Sequence, residues 1–190
     1  MDDSSILENV GRLFALLEER KIDYLLVGGI ALLQYVEGRN TEDIDLILSS
    51  AALGRLPEIQ ITGQDDAFFA RGTFEGLQVD LLFTGNPLFE TVARRHATIR
   101  PFVEREIPCA TVEGMILLKL YALPSLYRQG NLVRAALYET DLLTLIHRYK
   151  PDLEPLFAEI APHVSPTDLT ALRRVVSEIQ ERIARFGQGF

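Results

Sequence analysis

The sequence predicts a mixed α/β (α+β) fold, with a sheet core carrying helices over residues 1–110 and a helical region packed on it over 111–190. Short apolar runs rich in strand formers alternate with helix-like segments through the first part of the chain. From Thr111 onward only helical spacing is found, broken at Pro124, Gly130-Asn131, Lys150-Pro151, Pro162 and Pro166. A chain of 190 residues with 47% hydrophobic content suits one domain, or one domain with a helical extension.

Taken in order, residues 5–20 place Ile6, Val10, Leu13, Phe14 and Leu17 at helical spacing, with Ser4 or Ser5 available as a cap. Residues 24–27 read as a buried strand, 29–36 as a helix and 43–48 as an alternating strand. Pro57 and Gly63 mark loops, and strands are expected near 67–71 and 76–83, with Gly72 to Gly76 as the hairpin turn between them. Asn86-Pro87 opens a helix to about Arg95, because proline is tolerated in the first helical turn. Residues 99–103 and 106–107 suggest further short strands. Thr111 is placed to cap the next helix, and Pro124 to end or kink it. Helices near 133–149, 152–160 and 167–186 complete the chain, the last capped by Ser165 or Thr167. No internal repeat or low-complexity tract is present.

The most informative stretch runs from Val27 to Leu46. An apolar strand enters Gly28-Gly29, where the backbone can approach a ligand closely. The helix that follows would aim its free N–H groups at whatever the glycines cradle, a natural place for phosphate. Asp43 and Asp45 then share one face of a strand, with Ile44 and Leu46 on the other. Like charges so placed repel, and a divalent cation with hard oxygen ligands, Mg²⁺ or Mn²⁺, removes the conflict. Asp80 sits alone in the apolar run Leu77-Gln78-Val79-Asp80-Leu81-Leu82-Phe83 and joins the cluster if its strand lies beside that of Asp43. Three carboxylates can hold two metals, the arrangement used for in-line transfer at phosphorus. Each piece alone is ordinary: glycine pairs are common in loops, aspartates collect in turns, and Asp80 could pair with an arginine. The order of strand, Gly-Gly, helix, Asp-x-Asp and later Asp points to chemistry on a nucleoside triphosphate.

These residues resemble the nucleotidyltransferase fold of the DNA polymerase beta superfamily, matching its glycine pair and its Asp-x-Asp plus later Asp at Gly28, Gly29, Asp43, Asp45 and Asp80. Gly28-Gly29-Ile30-Ala31 and Arg39-Asn40-Thr41-Glu42-Asp43-Ile44-Asp45 further resemble the AbiEii-type group, which includes toxins of toxin–antitoxin systems. Many relatives have Ser where this chain has Gly29, which removes a hydroxyl contact to phosphate. The resemblance extends to Lys119 and Asp141 and spans roughly residues 24–146. It implies a metal-dependent enzyme that moves a nucleoside monophosphate from an NTP, such as ATP, to an acceptor hydroxyl. Asp43, Asp45 and Asp80 would be its metal ligands and catalytic carboxylates. Gly28, Gly29, Arg39, Thr41 and Lys119 would contact nucleotide, and Asp141 would orient a group or assist proton transfer. A tRNA end, a protein or a small aminoglycoside-like molecule are all compatible acceptors, and an antitoxin partner is part of the toxin reading. The active site is expected between the sheet core and the helical part. Lys119 alone could equally snorkel to solvent, and Asp141 could lie on a wet helix face.

Composition narrows the alternatives. Net charge is −8, from 19 basic and 27 acidic residues, which argues against a nucleic-acid-coating role while allowing a local patch at Arg94-Arg95-His96 or Arg173-Arg174. No run approaches a membrane span, the first residues lack a signal-peptide pattern, and a cytoplasmic location is expected. The single cysteine, Cys109, excludes an intrachain disulfide and reads as a small core or loop residue. His96, His147 and His163 lack metal-ligand spacing and read as structural. Two other classes stand beside the enzyme: a non-catalytic nucleotide- or partner-binding module, and a partner in a two-protein system presenting Leu169, Leu172, Val176 and Ile179.

Overall fold

The computed structural model describes residues 3–36 and 43–186. The chain divides into two compact units, Met1–Thr111 and Val112–Phe190.

The first unit opens with α1 (Asp3–Glu19), whose Val10, Leu13, Phe14 and Leu17 are buried. The periodic apolar stripe therefore faces the core as its spacing predicts. Phe14 packs edge-on against Phe102 and stacks on Tyr24. Ser4 and Ser5 fall inside the helix instead of capping it. There follow β1 (Tyr24–Val27), α2 (Gly28–Leu32), β2 (Asp43–Leu48), a 3-10 segment (Ser50–Arg55), β3 (Gln60–Asp66), β4 (Phe69–Phe74), β5 (Leu77–Phe83), α3 (Pro87–Arg95), β6 (Ala97–Phe102) and β7 (Arg105–Ala110).

The described strands form one seven-stranded sheet in the order β3-β4-β5-β2-β1-β7-β6. The β2–β5 and β1–β7 pairs are parallel and the others antiparallel. The mixed sheet core expected from sequence is present, and β2, which carries Asp43 and Asp45, is its central strand. Ile44, Leu46, Ile47 and Leu48 are buried, as are Leu25, Leu26 and Val27 beside them.

Several boundaries differ from expectation. Helix α2 ends at Leu32, short of residue 36, and the chain continues as a turn in which the Tyr35 hydroxyl donates to the Ala110 carbonyl at 2.6 Å. Strand β3 falls where the sequence suggests a loop. Its Gly63-Gln64-Asp65-Asp66 stretch lacks apolar alternation, and pairing with β4 at the sheet edge, through two register shifts, makes it a strand. The β4–β5 hairpin turn is Glu75-Gly76 alone, both residues at positive φ, so Gly72 lies inside β4. Asn9 of α1 holds that turn, its Nδ2 donating to the Glu75 carbonyl at 2.9 Å.

Cys109 is fully buried in β7, opposite Leu26, and burial pushes its thiol up to about 11. It is therefore neutral at ordinary pH. A thiol reagent at pH 8 is expected to label it only after denaturant unfolds the chain; rapid labelling of native protein would contradict its packing.

The second unit is helical: α4 (Val112–Arg128), α5 (Leu132–Tyr149), α6 (Leu153–Ile160), a short 3-10 turn (Ala161–His163) and α7 (Pro166–Phe186). Polar side chains just before α5, α6 and α7 accept hydrogen bonds from orphan N–H groups: Asn131 from Arg134, Asp152 from Glu154 and Ser165 from Asp168. Pro124 does not end α4, which continues to Arg128. Leu172, Val176 and Ile179 of α7 are buried, so that stripe is core and not a presented face. No described helix is long and apolar enough to cross a membrane.

Candidate active site

Strand register assembles the site. In the parallel β2–β5 pair, Asp45 lies opposite Asp80 and Asp43 opposite Gln78. Residues opposite each other in a sheet share a face, so Asp43, Asp45 and Asp80 converge. Each offers an oxygen within 4.8 Å of the others, a spacing suited to a bound cation, and no other such group occurs among the described residues. Asp80 is fully buried, while Asp43 and Asp45 are half-buried. At such separations each pair of unit charges repels by about 3 kcal/mol at an effective dielectric near 20. This all-oxygen donor set fits a hard divalent cation of the Mg²⁺ or Mn²⁺ type.

The glycine pair touches the same carboxylates. Gly28 has φ +67, and a Cβ there would lie 1.8 Å from Asp45 Oδ2. Gly29 N–H points to that same oxygen at 3.4 Å. Gly28 is thus required first by the fit of Asp45 under the β1–α2 turn. On the far side of the cluster stands a residue that the sequence pattern does not single out. Arg71 of β4 lies opposite Asp80 across the hairpin and donates from Nε to Oδ1 at 2.8 Å and from Nη2 to Oδ2 at 2.9 Å. Asp80 therefore pairs with an arginine while its carboxylate stays within reach of those of Asp43 and Asp45. A signal for it exists in the sequence, since a two-residue turn at Glu75-Gly76 sets Arg71 against Asp80; placing Gly72 in the turn hides it. Gln78 Nε2 also reaches Asp80 Oδ1 at 3.5 Å.

Lys119 and Asp141 come together in the second unit, with Nζ 2.6 Å from Oδ2 and both side chains buried. Lys119 also lies over the Tyr138 ring, 4.4 Å from its centroid. Neither the snorkelling lysine nor the wet-face aspartate describes them. Of the basic clusters, Arg94 pairs with Glu90 and Arg173 forks onto Glu154, so part of each charge is already neutralised. Arg39 and Thr41, expected to contact nucleotide, lie outside the described residues.

No family model and no curated sequence matches the chain. Solved structures do. An antigenic nucleotidyltransferase-like protein from Paracoccidioides brasiliensis superposes with a TM-score of 0.57 at 16% identity, covering 92% of this chain and 94% of that one. The antibiotic-resistance factor ANT(2'')-Ia, in complex with adenylyl-2''-tobramycin, superposes at 0.54 with 12% identity, over 88% and 97% of the two chains. The fold is that of nucleotidyltransferase-like proteins. At these identities the likeness establishes the fold alone. Within that fold, Asp43, Asp45 and Asp80 occupy a central strand and its parallel neighbour, with the glycine turn of β1 against Asp45.

Proposed function

We propose that this protein is a metal-dependent nucleotidyltransferase that moves a nucleoside monophosphate from an NTP to an acceptor hydroxyl. The observation that carries the reading is the convergence of Asp43, Asp45 and Asp80 beside a glycine turn that leaves no room for a side chain. Asp43, Asp45 and Asp80 would hold one or two Mg²⁺ or Mn²⁺ ions. Such ions neutralise triphosphate oxygens and make an acceptor hydroxyl more acidic. The bond broken joins the α-phosphorus to its bridging oxygen, the bond formed joins that phosphorus to the acceptor oxygen, and pyrophosphate departs. Asp80 would help activate the acceptor hydroxyl through the ion it would hold, the acceptor proton passing to solvent. By the resemblance, the turn at Gly28 and Gly29 would bind phosphate oxygens. By the resemblance, Lys119 would contact the triphosphate and Asp141 would orient a group or assist proton transfer from the acceptor.

For the acceptor, two readings stand. The AbiEii-type resemblance favours a tRNA end or a protein, with an antitoxin partner controlling the activity. The net charge of −8, together with a structural neighbour solved with an adenylylated aminoglycoside, favours a small cationic molecule. Purified wild type and Asp45→Asn, incubated with each α-labelled NTP, Mn²⁺ or Mg²⁺, total tRNA, lysate protein and an aminoglycoside panel, separate these outcomes. Label on one acceptor class with wild type only is the expected result. Equal labelling by Asp45→Asn sinks the assignment of the carboxylates, and nucleotide binding without any transfer supports a binding module.

A further inference from the structure

We infer that Arg71 is a positioning residue and fixed counter-charge for Asp80, which lets the three carboxylates share one face before any cation arrives and which lowers their affinity for that cation. This inference rests on the metal reading proposed above. Its ground is geometric. Arg71, Asp80 and Asp45 stand abreast on β4, β5 and β2, so the guanidinium and the second aspartate approach Asp80 from opposite neighbouring strands. The fork engages both Asp80 oxygens at 2.8 and 2.9 Å, which fixes the carboxylate plane; Oδ1 also accepts from Gln78 at 3.5 Å, and Oδ2 keeps a further lone pair. Asp80 is fully buried, where a lone charge is costly, whereas the Arg71 side chain is 41% exposed and keeps part of its hydration. Arg71 thus stabilises the metal-free protein and competes electrostatically with the incoming cation. Removing its charge should tighten metal binding, the reverse of what simple damage to a site does.

The test needs neither nucleotide nor acceptor. Mn²⁺ binding is measured by the electron paramagnetic resonance signal of the free ion for wild type, Arg71→Gln, Arg71→Lys and Asp45→Asn, with thermal midpoints recorded in chelator and in Mn²⁺. Arg71→Gln is expected to bind Mn²⁺ about tenfold more tightly than wild type. Its midpoint falls in chelator and recovers in Mn²⁺. Arg71→Lys, which keeps the charge and loses the fork, stays within about twofold of wild-type affinity while its midpoint in chelator falls. Unchanged or weaker binding by Arg71→Gln overturns the inference, as does an Arg71→Lys protein that binds as tightly as Arg71→Gln. An Arg71→Gln chain that fails to fold even in Mn²⁺ overturns it too, since the cation should replace the lost charge. Wild type that binds no Mn²⁺, or binds it no better than Asp45→Asn, removes the metal reading itself along with this one; Mn²⁺ binding that depends on Asp45 but ignores Arg71 removes this one alone.

Discussion

Alanine at position 28 is expected to weaken Mn²⁺ binding on the order of 100-fold and to suppress nucleotidyl transfer, while Gly54→Ala leaves both intact. The added Cβ would sit 1.8 Å from Asp45 Oδ2 and 2.3 Å from its Cγ, so the carboxylate must leave its place. The φ of +67 adds about 1–2 kcal/mol of backbone cost for any L side chain. Turning the carboxylate away still leaves Asp45 Cβ at 2.7 Å, and the pairing of Val27 with Asp45 across β1 and β2 holds that atom in place. A Cβ added at Gly54 would meet nothing within 4 Å, so that variant controls for the substitution as such. Displacing a ligand by this much should weaken metal affinity on the order of 100-fold, the upper end of what loss of a supporting contact costs. Mn²⁺ binding and circular dichroism on the two variants check it. If Gly28→Ala binds Mn²⁺ like wild type, Asp45 is not held under the turn.

The second large effect is expected at the Lys119–Asp141 pair. Lys119→Met should destabilise the protein by about 3–5 kcal/mol, because it strands a buried carboxylate without its nearest cation. Asp141→Leu should do much the same from the other side. The double variant should recover most of the loss, since neither charge then remains buried. Denaturant unfolding of the four proteins forms the cycle. Strictly additive losses would show that the two side chains are not energetically coupled, despite their 2.6 Å contact. A double variant that is stable but inactive would separate a chemical role for the pair from its folding role.

Much of this protein is legible in its sequence where a local rule decides. The apolar spacing of α1 sets its buried face, Asn86 marks the start of α3, and the alternation at residues 43–48 puts two aspartates on one side of a strand. The glycine pair, the Asp-x-Asp and Asp80 stand out as a candidate site because like charges placed together repel. What the sequence by itself determined is therefore the class of the fold, the buried face of α1 and β2 and the identity of the carboxylates.

Tertiary structure decided what those carboxylates touch. Strand β3 exists through its pairing with β4, not through its own residues. Asp80 meets Asp45 because β2 and β5 are parallel neighbours in a particular register, a relation between segments more than thirty residues apart. Arg71 meets Asp80 because the hairpin turns at Glu75-Gly76, one of several turns the glycines there allow. Lys119 and Asp141, each readable alone as a solvated charge, become a buried pair only once α4 and α5 pack. The physical reason is common to all four. Propensity and periodicity act within a few residues of the chain. Register and charge pairing are fixed by which strands and helices become neighbours, which is settled by burial of the whole core.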